Sequence, residues 1–329
     1  MLNQRAGVLG TGHSYPEGIL TNADLTKIVE TSDDWITTRT GIKQRRKAAP
    51  DEYTSLFAVR AARQAIERAR LDPSDIDLLL CATVTPDQIL PSTGCIVQAQ
   101  LGAHNAAAMD IVAACSGFLY GVSLADSMIK TGQVRHAVVV GAEILTQYVD
   151  YTDRQTCVLF GDGAGAAVLG PVEGSSRGIL ASKIRSDGRY EEQLFSPGGG
   201  TRRKPTAETL AAGDHYFKMK GNELFKVAVR SMAEVSREVL ERAGVKAEDI
   251  DLFIPHQANQ RITEAVADRL NVDVSKVYSN IAVHGNTSSA SIPIALDECV
   301  EAGRIKEGDL VLMASFGGGV TWGAVLMRW

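Results

Sequence analysis

The sequence repeats one pattern of elements in its two halves. The segment PSDIDLLL, residues 73–80, has a counterpart in AEDIDLFI, residues 247–254, and each follows an amphipathic, helix-like stretch. Asp75 and Asp249 are 174 residues apart (249 − 75), and further along Asp126 aligns with Asp297 at an offset of 171 (297 − 126). One loop deletion accounts for the difference between the offsets. The repeat predicts two related halves, residues 1–171 and residues 172–329.

The order of elements in each half indicates an α/β fold. We predict strand, helix, strand, long helix, strand, an alternation typical of mostly parallel sheets covered by helices. The long helices, about residues 115–131 and 286–303, are rich in small and apolar residues, so we expect them to be buried between two sheets. Two stretches, residues 33–52 and 185–213, are predicted to be irregular, the second as a Gly-rich loop insertion.

Composition excludes several classes of protein. Of the 329 residues, 45% are hydrophobic and 22% are charged, as in an ordinary soluble globular protein. A formal net charge of −5 argues against a nucleic-acid partner. The sequence shows no signal-peptide pattern and no apolar run that could span a bilayer, so we expect a cytoplasmic protein with no membrane partner. The cysteines are scattered without a CxxC pair, which favours reduced thiols; they are Cys81, Cys95, Cys115, Cys157 and Cys299.

Cys115 is the candidate nucleophile. In the run DIVAACSGFLY, residues 110–120, an apolar strand-like stretch ends at a corner of small residues and a helix-like stretch begins. A thiol at a helix N-terminus meets unpaired N–H groups and the positive end of the helix dipole, and both favour the reactive thiolate. The alternative is a buried structural cysteine, because free cysteine is among the most buried residue types.

Two further residues complete a possible thiol site. Asn286 lies opposite Cys115 in the repeat, at the offset of 171 (286 − 115), and would open the second central helix. Its alternative role is that of an N-cap, and the two roles are compatible. His256 directly follows the apolar strand predicted over residues 250–254, where open α/β sheets bind ligands, although a structural histidine is the alternative. Together the three side chains supply a nucleophile, an imidazole and an amide donor.

Neither a nucleotide cofactor nor a metal is predicted. The run GDGAG, residues 161–165, lacks the GxGxxG spacing and continues into a strand-like segment. The remaining histidines considered lack metal-ligand spacing and are predicted to be surface or loop residues; they are His13, His104, His136 and His215.

Several segments resemble β-ketoacyl-acyl carrier protein synthase III, the initiating condensing enzyme of bacterial fatty-acid synthesis. They run nearly from end to end and include TSDDWITTRTGI (31–42), DIVAACSGFLY (110–120), LFGDGAGAAV (159–168), HQAN (256–259), HGNTSSAS (284–291) and SFGGGVTWG (315–323). The resemblance implies a thiolase-like fold in which two pseudo-symmetric halves form a five-layer αβαβα sandwich, and a homodimer. A Cys-His-Asn site is similar to that of the initiating class, whereas elongating synthases have Cys-His-His.

The resemblance also implies a two-stage reaction. Cys115 takes an acyl group from a short acyl-CoA, and malonyl-acyl carrier protein then loses CO₂ and attacks the acyl thioester. His256 and Asn286 would stabilise the enolate, and the backbone N–H groups of Cys115 and Gly318 would form an oxyanion hole. Phe316 would make the surroundings of the malonyl carboxylate unfavourable.

Substrate contacts follow from the same resemblance. Trp35 and Arg154 match an adenine clamp for CoA, and Arg39 and Asn259 are weaker candidates for its phosphate and pantetheine. Leu90 stands where many acetyl-specific members have Phe, at a position that closes the acyl pocket of the partner subunit, so the length and branching of the primer stay open.

The resemblance also implies a binding surface for the acidic carrier protein. Three basic residues match family positions near the tunnel mouth, and these residues are Lys226, Arg261 and Arg269. Asp268 stands where a further basic residue is common.

Two other functions remain compatible with the sequence. The chain could be a relative in secondary metabolism that transfers acyl groups without decarboxylation. It could also be an inactive homologue that binds carrier protein, although the intact Cys115, His256 and Asn286 argue against inactivity.

Overall fold

The computed structural model describes residues 5–172 and 177–329. Residues 1–4 of the predicted first half and 173–176 of the predicted second half therefore lie outside the described residues. The strands are β1 (Arg5–Ser14), β2 (Ile19–Thr21), β3 (Gln44–Arg46), β4 (Leu78–Ala82), β5 (Ala107–Ile111), β6 (Ala137–Glu143), β7 (Gly163–Val172), β8 (Gly178–Ser186), β9 (Leu194–Phe195), β10 (Lys218–Met219), β11 (Leu252–Pro255), β12 (Leu310–Gly317) and β13 (Thr321–Arg328).

The helices alternate with these strands. They are α1 (Asn22–Leu25), α2 (Asp33–Thr40), α3 (Thr54–Arg68), α4 (Thr93–Leu101), α5 (Gly117–Lys130), α6 (Ala207–Ala211), α7 (Gly221–Ala243), α8 (Gln260–Leu270), α9 (Ile281–His284) and α10 (Ser291–Glu301). Among the described residues, none of these helices is both long enough and apolar enough to cross a bilayer.

Two mixed sheets form the framework. The first has the strand order β1-β7-β6-β4-β5, and the second has the order β11-β12-β13-β8. Parallel pairing is confined to β4 with its two neighbours and to β11 with β12, while the other pairs are antiparallel. The prediction of mostly parallel sheets is wrong for this reason: β13 returns along β12 through a tight turn, and β7 returns along β6.

The sheets and helices stack in five layers. Helices α3 and α4 cover the outer face of the first sheet, and α7 packs on the outer face of the second, with α8 beside it. Between the sheets lie α5 and α10, whose apolar residues join a core with strands of both sheets. This arrangement confirms the predicted five-layer αβαβα sandwich with buried central helices. The division at residues 171 and 172 stays a prediction.

The central helices begin later than predicted. Each is preceded by a 3₁₀ turn, residues 114–116 before α5 and residues 288–290 before α10. The first residue of each turn has a positive φ, 45° at Ala114 and 49° at Ser288, so these residues are equivalent at an offset of 174 (288 − 114). The structural counterpart of Cys115 is therefore Ser289. The predicted alignment of Cys115 with Asn286 is wrong because it used the offset of 171. That offset holds for Asp126 and Asp297 within the central helices, whereas the turns before these helices have an offset of 174.

The two stretches predicted to be irregular are partly ordered elements. Residues 33–52 contain α2 and β3, and Ser32 caps α2 by accepting a hydrogen bond from the Trp35 N–H at 3.1 Å. Residues 185–213 contain the end of β8, β9 and α6, and β9 pairs with β10 in an antiparallel arrangement. The strands β3 and β9 were not predicted because they have only two or three residues.

His13 is neither a surface nor a loop residue, contrary to the prediction. It lies in β1 with its side chain 14% exposed, and its Nδ1 lies 2.5 Å from Asp297 Oδ2. The ligand atoms of His13, Asp297 and Glu301 lie within 4.8 Å of one another. The Arg68 guanidinium forms ion pairs with both carboxylates. Its positive charge therefore balances the negative charges that a metal ion would otherwise balance.

Candidate active site

A cavity of about 820 Å³ contains the three predicted chemical residues. Cys115, His256 and Asn286 line it, and each is less than 8% exposed. Trp35 and Arg154 also line it and are more exposed, which places them toward the mouth. The cavity thus runs from solvent to a buried end where the two halves meet.

Cys115 lies in the 3₁₀ turn before α5, and the second half holds this turn. The Ser315 hydroxyl donates to the Cys115 carbonyl at 2.7 Å, and the Thr321 hydroxyl donates to the Ala113 carbonyl at 2.7 Å. Gly317 allows the closest approach, since a Cβ there would lie 2.6 Å from the Cys115 nitrogen. The nucleophile of one half is therefore positioned by β12 and β13 of the other.

The electrostatics of Cys115 depend on burial as well as on its position before α5. Burial raises the pKa of the Cys115 thiol to about 12, a contact with the Ser288 side chain opposes this rise, and the nearby Glu143 carboxyl adds to it. Burial therefore opposes the thiolate form that the position before α5 favours, and the preference for thiolate stays a prediction.

His256 directly follows β11 and is held by a serine of α10. Its Nδ1 lies 2.6 Å from Ser291 Oγ, which also accepts a hydrogen bond from the Gln257 N–H at 3.4 Å. The Ser291 hydroxyl can accept from Nδ1 or donate to it, and in the tautomer in which it donates, the ring hydrogen lies on Nε2. Within the described residues Nε2 has no hydrogen-bond partner, and burial lowers the pKa of His256 to about 3. A neutral imidazole with a free N–H donor results in that tautomer.

Asn286 is fixed by its backbone and by one end of its amide. Its N–H donates to the Leu159 carbonyl at 2.9 Å, and its carbonyl accepts from the Gly161 N–H at 3.0 Å. Oδ1 accepts from the Ser288 N–H at 2.9 Å. The N-cap of the following 3₁₀ turn is Thr287, so the predicted N-cap role of Asn286 is wrong. The other end of the amide, Nδ2, remains available as a donor.

Phe316 and Gly318 lie at the end of β12 and also line the cavity. Phe316 is 5% exposed, and a Cβ on Gly318 would lie 3.0 Å from the Leu194 carbonyl oxygen of β9. The β9 strand of the β9–β10 pair therefore covers the glycine-rich turn.

The four residues predicted to contact CoA gather on one side of the cavity. The guanidinium of Arg154 stacks over the Trp35 ring at 4.7 Å, and that of Arg39 lies 5.5 Å from the same ring. Asn259 caps α8, and its Nδ2 donates to the Arg39 carbonyl at 3.0 Å. Because Arg154 already covers Trp35, an adenine could enter between them only if the guanidinium moved away.

The three basic residues predicted to bind carrier protein lie along α7 and α8. Lys226 and Arg261 line the main cavity, and Arg261 stacks on Phe225 at 5.5 Å. Lys226 and Arg269 line an adjoining groove of about 430 Å³ together with Asp268. The groove is therefore a basic surface with one acidic residue in it.

Leu90 does not line the cavity of its own chain. It is 83% exposed, beside Ile89 at 91%, at the tip of the loop between β4 and α4. Its predicted role in a partner's pocket stays a prediction.

Sequence reasoning missed the hydroxyl groups that support the site. They are Ser288, Ser291, Ser315 and Thr321. Each acts on a residue distant in sequence or in the other half, so no local spacing reveals them. Their one sequence signal is that all four fall within the segments 284–291 and 315–323.

Family models match two segments of the chain. Residues 109–188 match 3-oxoacyl-[acyl-carrier-protein] synthase III, and residues 240–329 match the C-terminal part of the same family. Together the two segments cover more than half of the chain.

Curated proteins and solved structures resemble the chain over nearly its full length. It is 53% identical over 324 residues to β-ketoacyl-[acyl-carrier-protein] synthase III of Caldanaerobacter subterraneus subsp. tengcongensis, covering 98% of each chain. The crystal structure of the synthase III from Aquifex aeolicus superposes with a TM-score of 0.91 at 52% identity, over 98% of this chain and 100% of that one. The priming β-ketosynthase of the R1128 polyketide pathway gives a TM-score of 0.91 at 36% identity, over 99% and 97%. These likenesses confirm the predicted thiolase-like fold and the resemblance drawn from the sequence.

Proposed function

Because the chain belongs to the 3-oxoacyl-[acyl-carrier-protein] synthase III family, we propose that it condenses an acyl-CoA primer with malonyl-acyl carrier protein. The reaction is a decarboxylative Claisen condensation that gives 3-oxoacyl-acyl carrier protein and initiates fatty-acid synthesis. The single observation that carries this assignment is the cavity that joins Cys115, His256 and Asn286, with a neutral thiol and neutral donors at its buried end.

In the first half-reaction, Cys115 becomes acylated. Its sulfur attacks the thioester carbonyl of the primer, the bond from carbon to the CoA sulfur breaks, and the thiol proton leaves with the CoA sulfur. The backbone N–H groups of Cys115 and Gly318 stabilise the negative charge on the carbonyl oxygen in the tetrahedral intermediate.

In the second half-reaction, the malonyl group loses CO₂ and its electrons move onto the thioester oxygen. His256 Nε2–H and Asn286 Nδ2–H donate to this enolate oxygen, each contributing about 3–4 kcal/mol. The enolate carbon attacks the acyl group, a carbon–carbon bond forms, and Cys115 leaves as a thiolate that takes up a proton from solvent. Phe316 supplies an apolar wall that favours loss of the malonyl carboxylate.

The binding partners follow from the surfaces around the cavity. Trp35, Arg39, Arg154 and Asn259 hold CoA. The groove lined by Lys226 and Arg269, with Arg261 at the adjoining cavity, receives the acidic carrier protein. Thiol, imidazole, amide and backbone groups account for every step, so the reaction uses no cofactor or metal. The protein works as a cytoplasmic homodimer without nucleic-acid or membrane partners.

A priming enzyme of secondary metabolism is the second candidate. The 36% identity to the R1128 priming ketosynthase favours it, although identity to curated β-ketoacyl-acyl carrier protein synthases III reaches 53%. Leu90 leaves the primer open, so both candidates require the primer to be measured.

The test incubates the enzyme with labelled acetyl-CoA and malonyl-acyl carrier protein. We expect CO₂ release, a 3-oxoacyl product and label on Cys115, and we expect Cys115→Ala to lose acylation. Acyl transfer without release of CO₂ would indicate the non-decarboxylating relative. Absence of both acyl transfer and CO₂ release would indicate an inactive homologue. A Cys115→Ala variant that condenses at the normal rate would exclude the mechanism. Parallel assays with isobutyryl-CoA and longer primers, in wild type and Leu90→Phe, identify the primer.

A further inference from the structure

A buried carboxyl group lies behind the reactive turn and has no part in the reaction above. Glu143, the last residue of β6, is 1% exposed. Its Oε2 accepts hydrogen bonds from the Val84 N–H at 3.0 Å, the Thr85 hydroxyl at 2.8 Å and the Thr83 hydroxyl at 3.3 Å. Its Oε1 lies 3.0 Å from Ser289 Oγ. Each of these partners is a hydroxyl or an amide, so none of them balances a negative charge.

The hydrogen count around Ser289 indicates a proton on Glu143. Ser289 has one hydroxyl hydrogen but two neighbouring oxygens, the Ala82 carbonyl at 2.8 Å and Glu143 Oε1 at 3.0 Å. If the hydroxyl donates to Ala82, the second contact is a hydrogen bond only when Oε1 carries a hydrogen and donates it to Ser289. Burial favours the same state, since it raises the pKa of Glu143.

Glu143 is joined to the nucleophile through the second 3₁₀ turn. The Ser289 hydroxyl lies 3.0 Å from Glu143 Oε1, and the turn of residues 288–290 packs against the turn of residues 114–116 that contains Cys115. Ser289 is the structural counterpart of Cys115. The first half of the chain thus has the nucleophilic thiol at this position. The second half has the Ser289 hydroxyl, which contacts Glu143, at the equivalent position.

Glu143 is joined on its other side to the loop between β4 and α4. Thr83 and Thr85 bind the carboxyl at the base of this loop, and Thr85 Oγ1 accepts from the Ile144 N–H at 2.9 Å. The tip of the same loop carries the exposed Ile89 and Leu90. One side chain therefore ties the reactive turn to the loop.

We propose that Glu143 is a positioning residue that acts as a neutral carboxylic acid, holding the Ser288–Ser289 turn against Cys115 and anchoring the base of the 83–91 loop. A neutral Glu143 does not repel the negative charge on the Cys115 sulfur when this sulfur leaves in the second half-reaction, whereas a carboxylate would. The inference rests on the proposed function, since acylation of Cys115 is its main readout.

The test compares Glu143→Gln with Glu143→Ala. Glutamine keeps one donor and one acceptor in place of the neutral acid, whereas alanine removes both. We expect Glu143→Gln to acylate Cys115 in single turnover within about threefold of the wild-type rate, and Glu143→Ala to be slower by tenfold or more at a temperature where it remains folded. Loss of rate in Glu143→Gln equal to that in Glu143→Ala would overturn the proposal, as would a wild-type rate in folded Glu143→Ala.

Two further measurements keep the outcome decisive. The infrared difference between wild type and Glu143→Gln at neutral pH should show loss of a protonated carboxyl band, and loss of a carboxylate band instead would overturn the neutral state. If Glu143→Ala does not fold, Ser289→Ala tests the link, and an unchanged alkylation rate of Cys115 by iodoacetamide in this variant would overturn it. Alkylation needs no natural substrate, so it separates failure of this inference from failure of the proposed function.

Discussion

Cys115 and His256 rest as an uncharged pair. Burial holds the thiol pKa at about 12 and the imidazole pKa at about 3, so at neutral pH the thiol is protonated and the ring is neutral. A protonated thiol is a weak target for oxidants and alkylating agents. The thiol therefore reacts only with a bound thioester, where the donors of the site stabilise the negative charge that develops on the carbonyl oxygen.

The pH dependence of alkylation tests this resting state. Below its pKa, the thiolate fraction of Cys115 rises by about tenfold per pH unit, so the rate with iodoacetamide should climb steadily from pH 7 to pH 10 without a plateau. The measurement uses a Cys95→Ser background, because Cys95 is exposed, and peptide mapping to assign the label. A plateau near pH 7 would show that the thiol ionises at neutral pH and that an ion pair forms in the free enzyme.

At the scale of elements, the turn before α5 depends on the strand that crosses it. Because a Cβ on Gly317 would lie 2.6 Å from the Cys115 nitrogen, β12 can approach the turn only through a glycine. The Ser315 hydroxyl of the same strand binds the Cys115 carbonyl. One strand of the opposite half, β12, thus both approaches the turn most closely and binds the carbonyl of the nucleophile.

Gly317→Ala should damage both stability and acylation. The added methyl group must displace backbone, which costs about 1–3 kcal/mol of unfolding free energy, and the shift of Cys115 should slow acylation by tenfold or more. Urea unfolding and single-turnover acylation measure the two effects. Gly200→Ala is the matched control, since a Cβ there meets nothing within 4 Å. Equal behaviour of the two variants would show that the turn tolerates displacement.

The groove along α7 and α8 has a separate test. Arg269→Glu reverses a charge that lines this groove but not the main cavity, so it should raise KM for malonyl-acyl carrier protein about tenfold at low salt. The difference should shrink at high salt, and acylation by acyl-CoA should not change. Lys246→Glu, beyond the far end of α7, makes the same charge change as a control. A KM equal to that of the control would place carrier-protein docking elsewhere.

The order of the helices and strands was largely predictable from the sequence, because hydrophobic periodicity and the repeat are patterns that extend over ten or more residues. The turns were not: Ala114 and Ser288 adopt positive φ without being glycine, which no residue type signals. The same limit applied inside the site. Cys115 and His256 were found from their places at strand and helix ends, and Asn286 was found through a repeat alignment that the structure does not support. The partners Ser291 and Thr321 depend on how two distant segments meet.

At the scale of the whole molecule, the first sheet ends in an open, apolar edge. In the described part of the chain β5 pairs with β4 alone, and its Met109 is 45% exposed. Val112, just beyond the strand, is 79% exposed, and the loop tip adds Ile89 and Leu90. Edge strands of this kind are normally covered, and a second copy of the chain would cover this one by pairing β5 with β5.

Val112→Asp should therefore separate the subunits. We expect the wild type to have twice the mass of the 35.2 kDa chain in light scattering, and the variant to have the mass of one chain, because a carboxylate at the buried edge would be desolvated without a partner. Val274→Asp is the control, since Val274 is 72% exposed in the turn after α8, away from β5. A wild type with the mass of one chain would refute the homodimer, and a Val112→Asp variant that stays at twice the mass would place its interface elsewhere. If the variant is a folded monomer with altered primer choice, the exposed Leu90 must act on the cavity of the partner, because it does not line its own.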